Sequence, residues 1–363
     1  MKKKLAYISN IPAPYTVKFL AALQDYFETE AFFYEKASGQ RAAFWNMDLP
    51  PYCHLATQLF YRKNGRYLTW QHLAWLQAFN PDVVLIGGFS VPANYLAYRW
   101  AKRAGKKVIV LTELSRTPEG KPRAKGWQWQ LLTRLYQDVD AVFAVTPEAV
   151  AQFRDVLGFG SKVKAARYAT DLDDYLAHPL RQAHSGLTVL FANRLTENYN
   201  PLLALSVYKK LRERFPEINM LMNGEGGLRR ECESFIAAHQ LKQVVFLDQL
   251  RHWRDLNAVY RQSDVLLFPA RFSAGNFTIY ECMASGMGLV ISENVLGNGN
   301  IVINGENGFR LPLDETMITA ALTAYLTEPG LLATHGAINK NRVSEMGPAG
   351  TAHCYYQLIQ PLL

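Results

Sequence analysis

No apolar run in this 363-residue sequence approaches the roughly 18 residues that a membrane-crossing helix needs. The sequence therefore holds no membrane-spanning helix. Cysteine is scarce: Cys53, Cys232, Cys282 and Cys354 stand far apart and form neither a CxxC pair nor a zinc spacing. They suit free thiols in a reducing cytoplasm. The eight histidines contain no HxH or HxxxH pair, so His72 and His252 read as ordinary helix or loop residues. No DxD motif follows an apolar strand; Asp171-Leu172-Asp173 has the letters but lies just before a polar linker. No metal site and no cofactor are assigned. With no zinc finger and no Arg-rich arm, nucleic acid is not an expected partner. The LAYIS run near the start is too short for a signal peptide and reads as a buried strand. Hydrophobic residues make up 49% and charged residues 19%, which excludes the disordered and low-complexity classes.

Negative charge is in short supply in the first half only. Residues 1–180 hold 23 Lys+Arg against 15 Asp+Glu, whereas residues 181–363 hold 16 of each, so the whole +8 excess lies in the first half. That asymmetry fits an anionic neighbour such as phospholipid or a phosphorylated acceptor, and it equally fits a basic solvated surface.

Short apolar runs recur along the chain. The first series is 5–9, 31–35, 82–88, 107–112 and 141–146; the second is 188–193, 218–224, 244–249, 264–270 and 288–293. Continuous rather than alternating apolar runs mark strands buried on both faces. Helical segments lie between them. Residues 201–215 place Leu202, Leu205, Tyr208 and Leu211 on one stripe, and 146–158 opens with a Thr cap and Pro147 and ends at Gly158. The pattern predicts two doubly wound α/β domains, with 173–186 as a polar linker. Two such domains facing each other would form a central cleft, with ligands beyond the carboxyl ends of the strands.

The loops after the second-series strands carry the chemistry. Arg194 follows the first, Gly224-Glu225-Gly226-Gly227 the second, and residues 270–286 the fourth. A guanidinium, a glycine turn and a helix start would converge on one anion, since Arg forks onto phosphate and helix-start amides add donors.

These residues resemble glycosyltransferase family 4, of GT-B fold. Asn193-Arg194-Leu195 stands at the family's Gly-Arg-Leu turn, and Gly224-Glu225-Gly226 matches its Gly-x-Gly turn. Ser263-Asp264-Val265 through Pro269-Ala270 matches its fourth-strand pattern. Glu281-Cys282-Met283-Ala284-Ser285-Gly286 is close to E-A-M-A-x-G, and Asn304 through Phe309 is close to D-G-x-N-G-F. Order and spacing hold across 186–312. The first half resembles the family less, through Pro14 and Tyr15 in an opening loop that borders the transfer site; a Pro-rich turn setting a helix entry explains them equally well.

Two family positions are changed. The first Glu of the family's paired-glutamate motif falls on Ser273, and the Lys that accompanies the Arg falls on Tyr199. In the family these residues serve the transferring sugar and the donor diphosphate. Arg271, Asn276, Phe277 and Thr278 are the nearby groups that could supply donors instead.

The resemblance implies a retaining glycosyltransferase of hexosyltransferase type. Residues 1–175 would bind the acceptor and 176–349 the nucleotide-diphosphate sugar, with UDP an expected carrier. Residues 350–363 would form a helix crossing back to the first domain. Arg194, Gly224, Glu225, Gly226, Asn276, Phe277, Thr278 and Glu281 would form the donor site. Glu281 would bond the ribose, although a first-turn carboxylate favoured by a helix dipole is the plainer reading. Glu113 and Arg194 would act in catalysis; Glu113 also reads as a helix cap or a partner of Arg116, and Arg194 as a surface partner of Glu197. Pro14 and Tyr15 would face the acceptor, a glycan or lipid-linked glycan of bacterial surface polysaccharide or lipopolysaccharide. A nucleotide-sugar-binding protein without transferase activity, or a GT-B epimerase, is the alternative. Lys121, Arg123 and Lys125 precede Trp127 and Trp129, which suggests peripheral attachment to the inner face of an anionic membrane; core packing of both tryptophans is the alternative.

Overall fold

The computed structural model describes residues 1–36, 47–63, 65–113, 126–182, 184, 186–248, 255–273 and 276–363, apart from the side chains at 298 and 299. The described chain forms two compact units. One comprises 1–115, 122–171 and 345–363; the other contains 172–344. These divisions fall a few residues before those expected from the sequence.

The first unit contains β1 (Lys4–Ser9), α1 (Pro14–Leu23), β2 (Glu28–Phe33), β3 (Cys53–Leu55), β4 (Tyr61–Lys63), β5 (Arg66–Leu68), α2 (Gln71–Phe79), β6 (Val83–Gly87) and α3 (Pro92–Arg103). It continues with β7 (Lys107–Thr112), α4 (Gly126–Leu135), β8 (Ala141–Ala144), α5 (Pro147–Ala151) and β9 (Val163–Ala165). The second holds α6 (Asp173–Leu176), β10 (Thr188–Phe191), α7 (Pro201–Arg214), β11 (Asn219–Asn223), α8 (Arg229–Ala238), β12 (Val244–Leu247), α9 (Asp255–Gln262) and β13 (Val265–Phe268). It ends with α10 (Phe277–Ala284), β14 (Gly288–Ser292), β15 (Phe309–Leu311), α11 (Glu315–Thr327) and α12 (Leu331–Val343). A last helix, α13 (Pro348–Ile359), belongs to the first unit.

Each unit is built on an all-parallel sheet. The orders are β3-β2-β1-β6-β7-β8-β9 and β12-β11-β10-β13-β14-β15. Both reverse direction beside their first strand, at β1/β6 and β10/β13. This is the Rossmann-like arrangement whose ligand crevice lies at the reversal point. Every apolar run of the sequence contributes a strand, and the central ones are buried along their length.

Three aspartates align strand starts by one device. Each precedes a strand and accepts an N–H from the first or second residue of the neighbouring strand: Asp82 from Lys4 (2.8 Å), Asp140 from Val108 (2.8 Å) and Asp264 from Thr188 (2.8 Å). These N–H groups would otherwise be orphaned at a buried sheet end.

Proline and polar caps set the helix starts. Pro occupies the first turn of α1, α3, α5, α7 and α13, where its missing N–H costs nothing. The Thr146 side chain accepts from Ala149 N–H at 3.1 Å, as the sequence predicts for that helix. Its continuation differs from expectation: after Ala151 the chain widens into a π-helical turn, Gln152–Val156.

The 173–186 stretch differs too. It is packed rather than a loose linker. It opens with α6, and Tyr175 lies edge-on to Tyr260 at 5.3 Å. The buried Arg181 guanidinium donates to the carbonyls of Tyr260 (2.8 Å) and Ser263 (3.0 Å) at the end of α9. A cation there is favoured by the helix dipole and satisfies terminal carbonyls.

α13 is held in the first unit by aromatic contacts. Tyr355 is fully buried, 4.9 Å from Phe19 and 5.5 Å from Phe143. Tyr356 stacks on Tyr26 at 4.7 Å. The Tyr355 hydroxyl donates to the Arg167 carbonyl, and Arg167 Nη1 donates to the Glu345 carbonyl at 2.8 Å.

Candidate functional site

The second unit gathers the predicted donor residues at its strand reversal. Asn193-Arg194-Leu195 follows β10, Gly224-Glu225-Gly226 follows β11, and Asn276 opens α10 after β13. The three loops are bonded to one another. Leu195 N–H donates to the Glu225 carbonyl (2.7 Å), and Leu228 N–H donates to the Leu195 carbonyl (2.9 Å). Asn276 Nδ2 donates to Asn193 Oδ1 (3.1 Å).

The glycines are required by this packing. A Cβ on Gly226, whose φ is +145°, would sit 2.3 Å from the Leu195 carbonyl oxygen. A Cβ on Gly224 would sit 1.7 Å from Asp248 Oδ1. Asp248 is gripped there by Arg229, with Nη1 at 2.7 Å and Nη2 at 2.9 Å, and that fork holds its carboxyl below the usual range. Arg229 also lies 3.6 Å from the centre of the Phe246 ring and donates to the Gly224 carbonyl. Glu225 is exposed, and its N–H is taken by Asn223 Oδ1 at 2.7 Å.

At the head of α10, Asn276 Oδ1 accepts from Thr278 N–H at 2.9 Å, an N-cap that leaves the helix dipole facing the switch point. Asn193 is 5% exposed, and its Nδ2 has no partner among the described residues. A buried donor left in this state costs about 1–3 kcal/mol. Phe277 and Thr278 are half-buried.

Glu281 does not lie in the first turn. It is the fifth residue of α10, so the first-turn dipole reading is overturned. Its Oε2 accepts from the Tyr260 hydroxyl at 2.6 Å. Tyr260 is buried, and burial pushes its pKa well up, so it stays a neutral donor. Nothing in the sequence spacing signalled this partner from α9.

The two changed family positions both make packing or backbone contacts here. Tyr199 is half-buried, its ring 6.0 Å from Phe268 and its hydroxyl raised by burial, with the Arg194 charge close enough to oppose that shift. Ser273 is buried, forms a bridge with Val295 and accepts Leu296 N–H at 2.8 Å. Arg271 is exposed and donates from Nε to Asn200 Oδ1 at 3.0 Å. Asn198 and Asn200 clip the same loop, donating to the carbonyls of Phe272 and Pro269. Arg194 is exposed.

In the first unit, Pro14 is buried at the start of α1 and Tyr15 is half-buried. Glu113 is exposed directly after β7. Tyr7 ties these together: burial pushes its hydroxyl to about 12, a hydrogen bond with Ser9 opposes this, and the charges of Tyr15 and Glu113 reinforce it. Tyr15 and Glu113 therefore lie near enough to this buried tyrosine for their charges to act on it. His72 is a buried helix residue, pushed down to about 4 by burial, and stays neutral.

The predicted tryptophan pair divides. Trp127 is 63% exposed, whereas Trp129 is half-buried and lies edge-on to Phe153 at 5.9 Å. Core packing of both is therefore overturned. Arg116, Lys121, Arg123, Lys125 and His252 lie outside the described residues. No group of three or more His, Cys, Asp or Glu among the described residues could hold a metal ion.

Comparison with known proteins matches both units. Residues 179–342 fit the model for glycosyl transferases group 1, and residues 13–169 fit the glycosyl transferase 4-like domain. The chain belongs to the family 4-like glycosyltransferases of GT-B fold. Its α/β architecture with two Rossmann-like units is theirs. This family member is 26% identical over 132 residues to the GtfA subunit of the UDP-N-acetylglucosamine–peptide N-acetylglucosaminyltransferase of Streptococcus pneumoniae, covering 36% of the chain and 25% of that subunit. The chain spans between 22% and 42% of the length of the curated relatives it matches. Among solved structures it resembles a glycosyltransferase from Rickettsia africae, with a TM-score of 0.75 at 12% identity over 99% of this chain and 98% of that one. It also resembles HepE of Anabaena, solved with UDP, with a TM-score of 0.72 at 13% identity over 99% and 100% of the chains. A third neighbour is the lipopolysaccharide outer core galactosyltransferase WaaB, with a TM-score of 0.66 at 14% identity over 99% and 100%.

Proposed function

We propose that the chain transfers a sugar, with retention, from a nucleoside-diphosphate donor to a glycan or lipid-linked acceptor of bacterial surface polysaccharide or lipopolysaccharide. The observation that carries this reading is the bonding of three post-strand loops into one frame at the strand reversal of the second unit, Leu195 to Glu225 and Asn193 to Asn276. UDP is the nucleotide proposed first, supported by the UDP bound in HepE. WaaB, a lipopolysaccharide outer core galactosyltransferase, supports the glycan class.

In this reading Arg194 and the helix start at Asn276-Phe277-Thr278 stabilise the diphosphate as negative charge grows on it, and Arg271 adds a second cation. The frame containing Gly224, Glu225 and Gly226 shapes the pocket. Glu281, oriented by Tyr260, accepts from the ribose hydroxyls. Transfer passes through an oxocarbenium-like state, with the leaving phosphate taking the acceptor proton. Glu113 stabilises that state, and Pro14 and Tyr15 border the acceptor. No metal is assigned a role; the cation and helix dipole carry the charge a divalent ion would otherwise neutralise. Peripheral attachment to an anionic membrane would bring a lipid-linked acceptor to the enzyme. No helix among the described residues is long and apolar enough to cross a membrane.

One observation favours a second reading, nucleotide-sugar binding without transfer. Tyr199 packs on Phe268 where the family carries a phosphate-binding lysine. Calorimetric titration with UDP and other nucleoside diphosphates, followed by a UDP-release assay across donor sugars, separates the two. Binding without release under any acceptor supports the second reading. Unchanged UDP affinity in both Arg194→Ala and Glu281→Gln moves the donor site elsewhere.

A further inference from the structure

The hairpin of β4 and β5 stands apart from the parallel sheets. Its register pairs Tyr61 with Leu68, Arg62 with Tyr67 and Lys63 with Arg66. Strand alternation gives it two faces. The inner face is anchored: Tyr67 is buried and stacks on Tyr34 at 5.1 Å, and Arg62 Nε lies 2.8 Å from the buried Glu35 carboxylate.

The outer face carries Tyr61, Lys63, Arg66 and Leu68. Tyr61 is 45% exposed, and both cations are exposed. Phe60 and Trp70 flank the strands, 55% and 50% exposed, with rings edge-on at 4.5 Å. Three large aromatics in water on one short element are unusual for a solvated surface.

The charge on this face points to the occupant. Lys63 and Arg66 are directly cross-strand, where like charges repel and weaken the hairpin. No Asp or Glu occurs from residue 49 to residue 81 to relieve that repulsion locally. An anionic partner would relieve it. Aromatic rings beside cations match the boundary between headgroups and acyl chains, where Trp and Tyr concentrate and basic residues meet anionic lipid.

We propose that the outer face of the β4–β5 hairpin docks the chain on anionic phospholipid, with Phe60, Tyr61 and Trp70 entering the headgroup boundary and Lys63 and Arg66 meeting lipid phosphates. This surface shares no residue with the basic segment ahead of Trp127. It gives the membrane part of the proposed function a structural element, and it does not depend on the transferase part.

The test is co-sedimentation of the full chain with phosphatidylcholine vesicles, with and without phosphatidylglycerol. Three variants are compared: Lys63→Glu with Arg66→Glu, Phe60→Ser with Tyr61→Ser, and Lys121→Glu with Arg123→Glu and Lys125→Glu. UDP affinity of each variant serves as the check on folding and on the donor-site reading. The wild type is expected to bind only the anionic vesicles, with the charge-reversed hairpin weakened roughly tenfold or more. The aromatic variant is expected to lose binding at high salt, where screening removes the electrostatic share. Wild-type chain that binds no vesicle overturns the proposal, and so do hairpin variants that bind as the wild type does. Binding to soluble dextran sulfate as tight as to vesicles would assign the face to an anionic glycan and overturn the lipid proposal.

Discussion

The backbone N–H of Leu195 donates to the carbonyl of Glu225 at 2.7 Å, which bonds the arginine turn after β10 to the glycine turn after β11. Gly226 permits the approach. Its φ of +145° is a region that side chains avoid, and an added Cβ would meet the Leu195 carbonyl oxygen at 2.3 Å. Gly226→Ala is expected to lose about 1–3 kcal/mol of stability from backbone strain, more with the clash. UDP binding should weaken with it, because Arg194 rides on the displaced turn. Gly227→Ala is the control: nothing lies within 4 Å of its added Cβ. Thermal unfolding and UDP titration of the two variants check this, and equal melting temperatures would contradict it.

Tyr260 and Glu281 give a second expectation. The Tyr260 hydroxyl donates to Glu281 Oε2 at 2.6 Å from a fully buried ring. Tyr260→Phe keeps the ring packing and removes the donor. Hydrogen bonds to charged groups contribute about 1.5–3 kcal/mol. The variant should therefore lose stability in denaturant titration, and its UDP affinity should fall because Glu281 is no longer held in one orientation. Glu281→Gln should weaken UDP binding with little change in stability, since an amide oxygen can still accept from Tyr260.

The two-unit α/β architecture was legible because continuous apolar runs mark strands buried on both faces. Each apolar run contributes a strand, whereas the three-residue strands β3, β9 and β15 and the β4–β5 hairpin are too short or too polar for that signal. The hairpin did leave one mark, the Asn64-Gly65 dipeptide between cationic and aromatic residues, with Gly65 at φ +71°. The donor-loop residues were legible as motifs, but their fixings were not. Tyr260, Asn193, Asn198, Asn200 and the Arg229–Asp248 fork act across long sequence separations, which no local spacing encodes. The helix start near Asn276 is legible in the sequence, but the cap there starts α10 at Phe277 and makes Glu281 its fifth residue rather than a first-turn carboxylate.

Activity without a divalent metal is a direct consequence of the proposed charge distribution. If Arg194, Arg271 and the α10 helix start neutralise the diphosphate, UDP release should proceed unchanged in excess chelator. Arg194→Ala should then slow release by tenfold or more, about 1.4 kcal/mol per factor of ten. Loss of turnover in chelator, restored by magnesium or manganese, would show that an ion carries the charge instead.

The strand-capping aspartates make opposite predictions about pH. Burial alone would raise Asp140, but Lys102, the Val108 N–H and Lys107 outweigh it and hold its carboxyl below the usual range. A depressed carboxylate contributes stability that is present above its unfolded pKa and lost as pH falls through the folded one. Asp140→Asn should therefore cost about 1 kcal/mol or more near pH 7, and the gap to wild type should close toward strongly acidic pH. Asp264 runs the other way. Burial raises it, and the Thr188 N–H, His184 and Arg181 only partly offset that shift. A raised carboxyl binds its proton more tightly when folded, so its contribution is present at low pH and lost as pH rises through the folded value. Asn mimics the neutral acid and still accepts from Thr188. Asp264→Asn should accordingly gain on wild type as pH rises through the acid range, while Asp140→Asn falls behind. Denaturant midpoints of both variants from about pH 2 to pH 8 decide the matter, and parallel curves for the two would refute the assignment of opposite shifts.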